Sequence, residues 1–197
     1  HVMTRPLQQP FPKFYLGGGS RKAWALSAKH SDVHLFWGDL PEKIAANIAE
    51  IRQMARAHGR EHEIGFGMRL QVICRENEAD AWEAADQLVR HATERQKLEM
   101  KTLYNKSEAN LRVQQLAREH GDLPLPHLWT GITKVRPGAG IAVVGKPAQC
   151  ADTLQQFIDA GCHSFCLSGY LHDEEAERFG RLIRPILDEN NRNRRVA

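Results

Sequence analysis

The sequence predicts an α/β fold in which helices cover a parallel sheet. Short, nearly continuous apolar runs alternate with segments of helical periodicity, and that order of elements is typical of βα units. A length of 197 residues and a hydrophobic content of 42% are sufficient for one domain with a sizeable core. We predict strands at residues 14–16, 33–37, 66–74, 141–144 and 164–167.

Three segments between these strands have the apolar spacing of helices that lie on a sheet. In residues 41–58 apolar side chains recur every three or four positions, Pro41 stands in the first turn, and Gly59 follows the end. Residues 77–91 and 149–160 carry similar apolar stripes. We therefore predict that all three are covering helices that connect parallel strands.

The segment from about Thr93 to Pro126 differs from the βα pattern on either side of it. It is highly polar, its apolar residues are sparse, and it closes with a Leu-Pro-Leu-Pro run. We predict that it is a partly helical, mobile insertion, about residues 93–126, in a single domain that spans residues 1–197. Whether it acts as a lid over a site or forms a plain pair of surface helices stays open at this point.

Composition and cysteine spacing argue against several classes of function. No apolar run approaches the length of a membrane span, and the first residues lack the pattern of a secretory signal, so we expect a cytoplasmic protein. The net charge of +3 is modest and no aromatic residues interleave with the basic C-terminal stretch, so nucleic acid is not an expected partner. The cysteines lack CxxC spacing and no metal-ligating motif is present, so we expect neither disulfides nor a metal site.

Function is expected where the parallel strands end, because ligands bind at the carboxyl ends of strands in such folds. After the first strand, Gly18, Gly19 and Ser20 form a turn that leads into a helix; glycines let backbone amides approach a phosphate, and a helix start favours negative charge. A simple tight turn explains the same residues. Trp37, at the end of the second strand, can pack against a flat cofactor or close the core.

Charged and polar side chains mark the third and the last strand. The two-residue alternation of a strand puts Arg69 and Gln71 on one face, and an arginine inside the fold needs an anionic partner, either a ligand or a structural carboxylate. Arg136 stands in a basic stretch with glycines that suits an anion clamp or a solvated loop. Tyr170 and His172 follow the last strand, where a phenol or an imidazole can donate a proton.

Taken in order, these segments resemble the luciferase-like flavin-dependent monooxygenases, and most closely the alkanesulfonate monooxygenases. The resemblance extends over nearly the whole chain, and although each segment is a modest signal, their order and spacing are specific. The segments that carry it are residues 5–10, 15–18, 32–38, 69–73, 128–131, 136–145 and 164–170.

The resemblance implies an enzyme with a (β/α)8 TIM barrel that binds reduced FMN (FMNH2) at its C-terminal face. Such an enzyme uses O2 to cleave the carbon–sulfur bond of an alkanesulfonate, which releases sulfite and an aldehyde. The cofactor performs the oxygen chemistry, and the protein holds the cofactor and excludes water. The expected partners are an NAD(P)H-dependent flavin reductase, O2 and a small organosulfur substrate.

The resemblance also assigns roles to residues of this chain. The phosphate turn of the family falls on Gly18, Gly19 and Ser20, and Trp37 is a further candidate contact of the cofactor. The candidate catalytic residues are Arg69 on the seventh barrel strand, Arg136 in the mobile loop and Tyr170 after the last strand, and the candidate substrate contacts are Arg69, Gln71 and Arg136.

Two features depart from the family. The family places a histidine two residues after its strand arginine, whereas this chain has Gln71, which cannot act as a general acid or base. In addition, the segments correspond to about the last four βα units of the barrel plus the insertion. A half barrel leaves two strand edges uncovered, so we expect either a missing N-terminal half or a homo-oligomer to cover them. The alternative hypothesis is a non-catalytic, self-associating half-barrel that binds flavin or an anion.

Overall fold

The computed structural model describes residues 7–103, 107–136, 138 and 140–192 of the chain. Residues 5 and 6 of the resemblance, 104–106 of the predicted insertion, and 137 and 139 beside Arg136 lie outside the described residues. Within the described part, six strands form one sheet: β1 Tyr15–Gly17, β2 Val33–Trp37, β3 Gly65–Cys74, β4 Leu128–Trp129, β5 Ala142–Gly145 and β6 Ser164–Ser168.

The helices of the described part alternate with these strands. They are α1 Arg21–His30, α2 Pro41–Arg56, α3 Glu78–Val89, α4 Glu94–Leu103, α5 Glu108–His120, α6 Pro147–Asp159, α7 His172–Arg178 and α8 Arg184–Asn190. A 3-10 turn spans Gly131–Lys134, and a π-helical turn at Phe179–Ile183 joins α7 to α8. Among the described residues, no helix has both the length and the apolar content that crossing a bilayer requires.

The predicted α/β architecture is confirmed. Each of the five predicted strands is present and agrees with its prediction to within one residue at either end, and the three predicted covering helices are α2, α3 and α6. β4 and the helical segment 172–190 have no counterpart among the predictions. β4 has only two residues and pairs antiparallel with β5, so it is too short to show the alternation that marks a strand.

The long strand β3 is the centre of the sheet. It pairs in parallel with β2 over its first half, with β5 over its second half and with β6 on its other edge. The backbone hydrogen bonds show that β2 and β5 share one edge of β3, because successive residues of a strand point their N–H and C=O groups to opposite edges. Gly65 N donates to Asp32 O and Gln71 N to Ile141 O, whereas the carbonyl of Phe66 accepts from His163 N.

The two faces of β3 have different environments. Phe66, Met68 and Leu70 are fully buried in the core that α2 and α6 cover. The alternate positions on the other face include Arg69, which is only half-buried, and Gln71. This confirms the predicted two-residue alternation: the second face carries glycines, then Arg69 and Gln71, and ends at the buried Ile73.

The two outer strands of the parallel set have open edges. In the part of the chain that the structure describes, β1 pairs only with β2, and β6 pairs only with β3. Phe14 and Tyr15 at the β1 edge are 58% and 51% exposed, and Phe165 and Leu167 of β6 are half-buried. The parallel order β1-β2-β3-β6 is therefore an arc of four strands that does not close on itself within the described residues.

Candidate functional site

The candidate site lies where β2, β3 and β6 end side by side. In the parallel pairings Trp37 stands opposite Arg69, and Arg69 stands opposite Cys166. Paired residues of neighbouring strands project to the same face of a sheet, so these three side chains form a row. Two positions further along, Gln71 stands opposite Ser168. The predicted site residues of β2 and β3 thus share one face with polar residues of β6.

Arg69 is a half-buried cation that contacts β6. Its Nη1 donates to Sγ of Cys166 at 3.1 Å, and its Nη2 lies 3.5 Å from Oγ of Ser168. Neither partner is a carboxylate, and Arg69 forms no ion pair with the described acidic residues. The structural ion pair that the sequence left open for this arginine is therefore absent from the described part of the chain.

Gln71 connects Arg136 to the end of β6, and its side chain is only 1% exposed. With its amide oriented to satisfy both neighbours, Oε1 accepts from Arg136 Nη1 at 2.5 Å and Nε2 donates to Oγ and to the carbonyl of Ser168 at 3.1 Å. The guanidinium of Arg136 also lies over the ring of Tyr170, with Cζ 5.8 Å from the ring centroid. Ser168 thus links Arg69 to Gln71, and Arg136 links Gln71 to Tyr170; we call Arg69, Gln71, Arg136 and Tyr170 the arginine cluster.

The glycine turn, formed by Gly18, Gly19 and Ser20, is packed between α1 and α5. A Cβ at Gly18 would stand 2.6 Å from Cβ of Ala23, and a Cβ at Gly19 would stand 3.1 Å from N of Ala109. Oγ of Ser20 accepts a hydrogen bond from Ala23 N at 3.2 Å and so caps α1. The close approach of the two helices thus requires glycines here, whatever the turn binds.

A pocket opens between the glycine turn and the end of β2. Gly18, Gly19 and Trp37 line it together with Trp24 of α1 and Arg112 of α5. Cζ of Arg112 lies 4.7 Å from the centroid of the Trp24 ring, and Nε1 of Trp24 donates to the carbonyl of Gly18 at 3.0 Å. The structure therefore brings three of the four predicted cofactor contacts into one pocket and adds a cation from the predicted insertion.

One carboxylate, that of Asp39, shares this pocket with Arg112. Burial raises the pKa of Asp39 above its ordinary value, while the hydrogen bond from Leu40 N and the charges of Lys43 and Arg112 oppose that shift. Lys43 Nζ lies 4.0 Å from Oδ1, which accepts from Leu40 N at 2.8 Å. Because burial favours the neutral acid and two cations stand nearby, Asp39 repels an anion in the pocket less than a free carboxylate would.

Glu175 anchors the turn that follows β6. It is 6% exposed, and its Oε1 accepts from Nη1 of Arg75 at 2.8 Å and from Nη1 of Arg178 at 2.7 Å. A Cβ at Gly169 would come within 2.5 Å of Cγ of Glu175, so the carboxylate side chain occupies the space beside the glycine. The ion pairs thereby fix the chain between Ser168 and Tyr170.

Arg112 and Glu175 were not among the residues that the sequence indicated. Arg112 stands in a polar segment with several other basic residues, and nothing in the sequence distinguishes it from them. Glu175 is one of three successive acidic residues at the start of α7, and nothing in the sequence distinguishes the buried one. Their roles depend on which surfaces meet in the fold.

The structure divides the predicted site residues into two neighbouring groups. Arg69, Gln71, Arg136 and Tyr170 belong to the arginine cluster. Gly18, Gly19 and Trp37 line the pocket, Ser20 caps α1, and His172 begins α7 with its ring 6.2 Å from that of Tyr170.

Comparison with known proteins places this arrangement in context. A family model described as luciferase-like monooxygenase matches residues 1–164. DmoA from Hyphomicrobium sulfonivorans superposes with a TM-score of 0.72 at 19% sequence identity, over 96% of this chain and 44% of that protein. The EDTA monooxygenase EmoA from Chelativorans sp. BNC1 superposes with a TM-score of 0.66 at 20% sequence identity, over 91% of this chain and 44% of that protein. The riboflavin lyase RcaE, solved with modified FMN and riboflavin, superposes with a TM-score of 0.61 at 17% sequence identity, over 91% of this chain and 43% of that protein.

These superpositions confirm the predicted fold class, that of part of a (β/α)8 barrel. At such identities they show the shared fold and no more. The chain spans less than half the length of each of these three proteins, so what it covers is one part of the architecture that they share.

Proposed function

This chain belongs to the luciferase-like monooxygenase family, and on that premise we propose that it forms the C-terminal part of an FMNH2-dependent monooxygenase. The proposed reaction cleaves the carbon–sulfur bond of an alkanesulfonate with O2 and yields sulfite and an aldehyde. The observation that carries the proposal is the arginine cluster, in which two guanidiniums, of Arg69 and Arg136, converge without forming an ion pair to any described carboxylate.

The pocket beside the glycine turn has lining groups of the kind that bind the phosphate end of a flavin mononucleotide. The turn leads into the N-terminus of α1, where backbone N–H groups and the helix dipole favour an anion, and Arg112 adds a positive charge to the wall. Trp37 offers an aromatic surface on the same face as Arg69. Reduced flavin bound here would supply the oxygen chemistry, which amino-acid side chains cannot supply.

The arginine cluster suits a substrate that ends in a sulfonate. Arg69 and Arg136 bind the anionic oxygens, because a planar guanidinium donates two parallel hydrogen bonds to such a group. Gln71 holds Arg136 in place through its Oε1 and takes no part in proton transfer. Tyr170, which is 37% exposed, presents a phenol that can donate a hydrogen bond or a proton to a leaving oxygen.

The remaining parts of the proposal concern what surrounds this chain. Reduced flavin would come from a separate NAD(P)H-dependent reductase, and residues 93–126 would form an insertion in the barrel that contributes α5 to the pocket wall. Further βα units would cover the open edges of β1 and β6 and the polar face of the sheet, and would thereby exclude water from the flavin.

The direct test is sulfite release by a completed barrel, obtained by fusing this chain behind the N-terminal βα units of a family member. With NAD(P)H, a flavin reductase, FMN and O2, we expect an alkanesulfonate to release sulfite. Arg69→Ala should lower kcat/KM about 10- to 100-fold, because a hydrogen bond to a charged group contributes about 1.5–3 kcal/mol. Arg56→Ala, at an exposed arginine at the end of α2 that pairs with Glu61, is the matched control.

The substrate's charge provides a second arm of this test. The parent barrel should discriminate strongly between an alkanesulfonate and its neutral sulfonamide, and the double variant Arg69→Ala/Arg136→Ala should lose that discrimination. Full turnover by Arg69→Ala, or equal preference for both compounds in the parent, would remove the sulfonate assignment.

A second candidate function is favoured by the open edges of β1 and β6. Unpaired parallel strand edges and exposed aromatic residues promote self-association, so the chain on its own can act as a self-associating half-barrel that binds flavin or an anion without catalysis. Flavin binding without turnover in the completed barrel would favour this candidate over the enzyme.

A further inference from the structure

The first turn of α5 touches both groups of the candidate site. On one side, N and Cα of Ala109 would stand 3.1 and 3.2 Å from a Cβ at Gly19, so the backbone of α5 lies directly on the glycine turn. On the other side, Oδ1 of the next residue, Asn110, accepts a hydrogen bond from Gly138 N at 3.2 Å. Gly138 follows Arg136 by two positions.

The contact between α5 and the glycine turn leaves little room for independent movement. Because a Cβ at Gly19 would stand only 3.1 Å from N of Ala109, the gap between the turn and α5 is too narrow for a methyl group, so a shift of the turn toward α5 must displace Ala109. A second connection acts in parallel, because Arg112 of α5 stacks on Trp24, whose Nε1 donates to the carbonyl of Gly18 at 3.0 Å.

The contact between α5 and the chain beyond Arg136 rests on one side chain. Asn110 is 7% exposed, so its amide is withdrawn from water and its bond to Gly138 is not readily exchanged for a bond to solvent. Arg136 in turn reaches Gln71 at 2.5 Å and lies over Tyr170. A chain of contacts therefore runs from the glycine turn through Asn110 to the arginine cluster.

We propose that Asn110 is a positioning residue through which a phosphate bound at the glycine turn sets the position of Arg136. The proposal rests on the proposed phosphate site and extends it to regulation, because a phosphate-bearing flavin would order the substrate arginine and a flavin without phosphate would not. Coupling of this kind is reciprocal, so an anion held by Arg136 also tightens binding of the phosphate.

Limited trypsin digestion of the 197-residue chain tests the coupling without requiring activity. The peptide bond after Lys134 reports on the chain next to Arg136, since trypsin does not cut efficiently before the proline that follows Arg136. Cleavage would be timed without ligand and with inorganic phosphate, FMN or riboflavin, while titration calorimetry measures whether phosphate binds. Asn110→Ala removes the acceptor, Asn110→Asp retains an oxygen at the same place, and Gln115→Ala is the control on the exposed face of α5.

In the parent chain, in Asn110→Asp and in Gln115→Ala, we expect phosphate and FMN to slow cleavage after Lys134 by about fivefold or more, and riboflavin to have no effect. In Asn110→Ala, phosphate should still bind but should no longer slow cleavage. Asn110→Leu, which keeps the shape of the side chain without an acceptor, should behave in the same way and replaces Asn110→Ala if that variant does not fold.

Three results would contradict the proposal. Protection by phosphate in Asn110→Ala or Asn110→Leu equal to that in the parent would show that Asn110 transmits nothing. Phosphate binding to the parent without protection would contradict the coupling and leave the phosphate site intact. Failure of phosphate and FMN to bind the parent would contradict the phosphate site, and the coupling with it.

Discussion

At position 71 the neutral amide of Gln71 joins two neighbours by hydrogen bonds that a charged or titrating side chain could not keep over the same pH range. Gln71 accepts from Arg136 and donates to Ser168 at the same time, and an amide keeps both roles at every pH at which the protein is folded. A histidine here would lose its acceptor on protonation and would then repel Arg69 and Arg136. Gln71 therefore holds Arg136 and Ser168 together without adding a titrating group to the cluster.

His34 is the residue from which we expect a pH dependence of stability. It is fully buried on β2, and its Nδ1 lies 3.0 Å from Oγ of Ser27. Burial lowers the pKa of His34 to about 4, from 6.5. Between these values the unfolded chain binds more protons than the folded one, so the free energy of unfolding should fall by up to about 3 kcal/mol as the pH decreases from 6.5 to 4.

Urea unfolding at pH 7.5, 6, 5 and 4 measures this loss. His34→Gln should flatten the acid dependence relative to the parent, whereas His58→Gln, an exposed substitution just after α2, should leave it unchanged. An equally steep acid dependence in His34→Gln would show that other groups cause it.

Among the elements, β3 is the central one, because both of its edges pair with other strands and its two faces contact the core and the candidate site. Its helix-side residues Phe66, Met68 and Leu70 fill the core, while Arg69 and Gln71 project to the site. Ten residues let it pair with three other strands, and this is how one element holds the glycine-turn side and the Tyr170 side of the site in register.

The close contact between β3 and β6 should depend on Gly67. A Cβ there would stand 2.4 Å from the carbonyl oxygen of Ser164 and 2.8 Å from Cδ2 of Leu35, both in neighbouring strands. Gly67→Ala should therefore force the strands apart and lower the free energy of unfolding by about 1–3 kcal/mol. Gly180→Ala is the control, because nothing lies within 4 Å of its Cβ position.

In urea unfolding, Gly180→Ala should be neutral or stabilising by up to about 1 kcal/mol, since alanine loses less backbone entropy in a helical turn. Equal effects of the two substitutions would mean that the approach of β3 to β6 is not a limiting contact.

At the scale of the whole molecule, the open arc of strands is the feature with the largest consequences. The edges of β1 and β6 present unpaired backbone groups, and Arg69 on the inner face of the sheet is only half-buried. Such edges pair with other strands when any are available. Under the proposed function, the remaining walls around the arginine cluster and the pocket would come from further βα units.

We expect the isolated chain to self-associate through these edges, and Phe14 to contribute. Phe14 precedes β1 and is 58% exposed, so Phe14→Lys should weaken association by placing a charge at the edge. Leu26→Lys, at a residue of α1 that is 51% exposed, is the matched control and should associate like the parent. Sedimentation velocity at several concentrations measures the effect, and a monomeric parent chain, or equal weakening by both variants, would contradict the prediction.

Five of the six described strands and the three covering helices could be predicted from the amino-acid sequence, as could the residue types at the strand ends, whereas β4 and the helical segment 172–190 could not. Strands buried by helices must be nearly continuous in apolar character, and helices on a sheet must repeat apolar residues every three or four positions. Both patterns can therefore be recognised within a short stretch of sequence. For the same reason the alternation that separates Arg69 and Gln71 from Leu70 could be predicted.

Only the tertiary structure decided which of those residues meet. That Arg136 reaches Gln71, that the first turn of α5 lies between the glycine turn and Gly138, and that Glu175 is the buried acid of its triplet depend on contacts between segments far apart in the chain. Such contacts are set by how whole elements pack, and the helical spacing of Val113 and Leu116 in α5 shows which face is buried but not which part of the fold it packs against. The physical reason is that secondary structure follows from the neighbours of a residue in sequence, whereas a binding site follows from its neighbours in space.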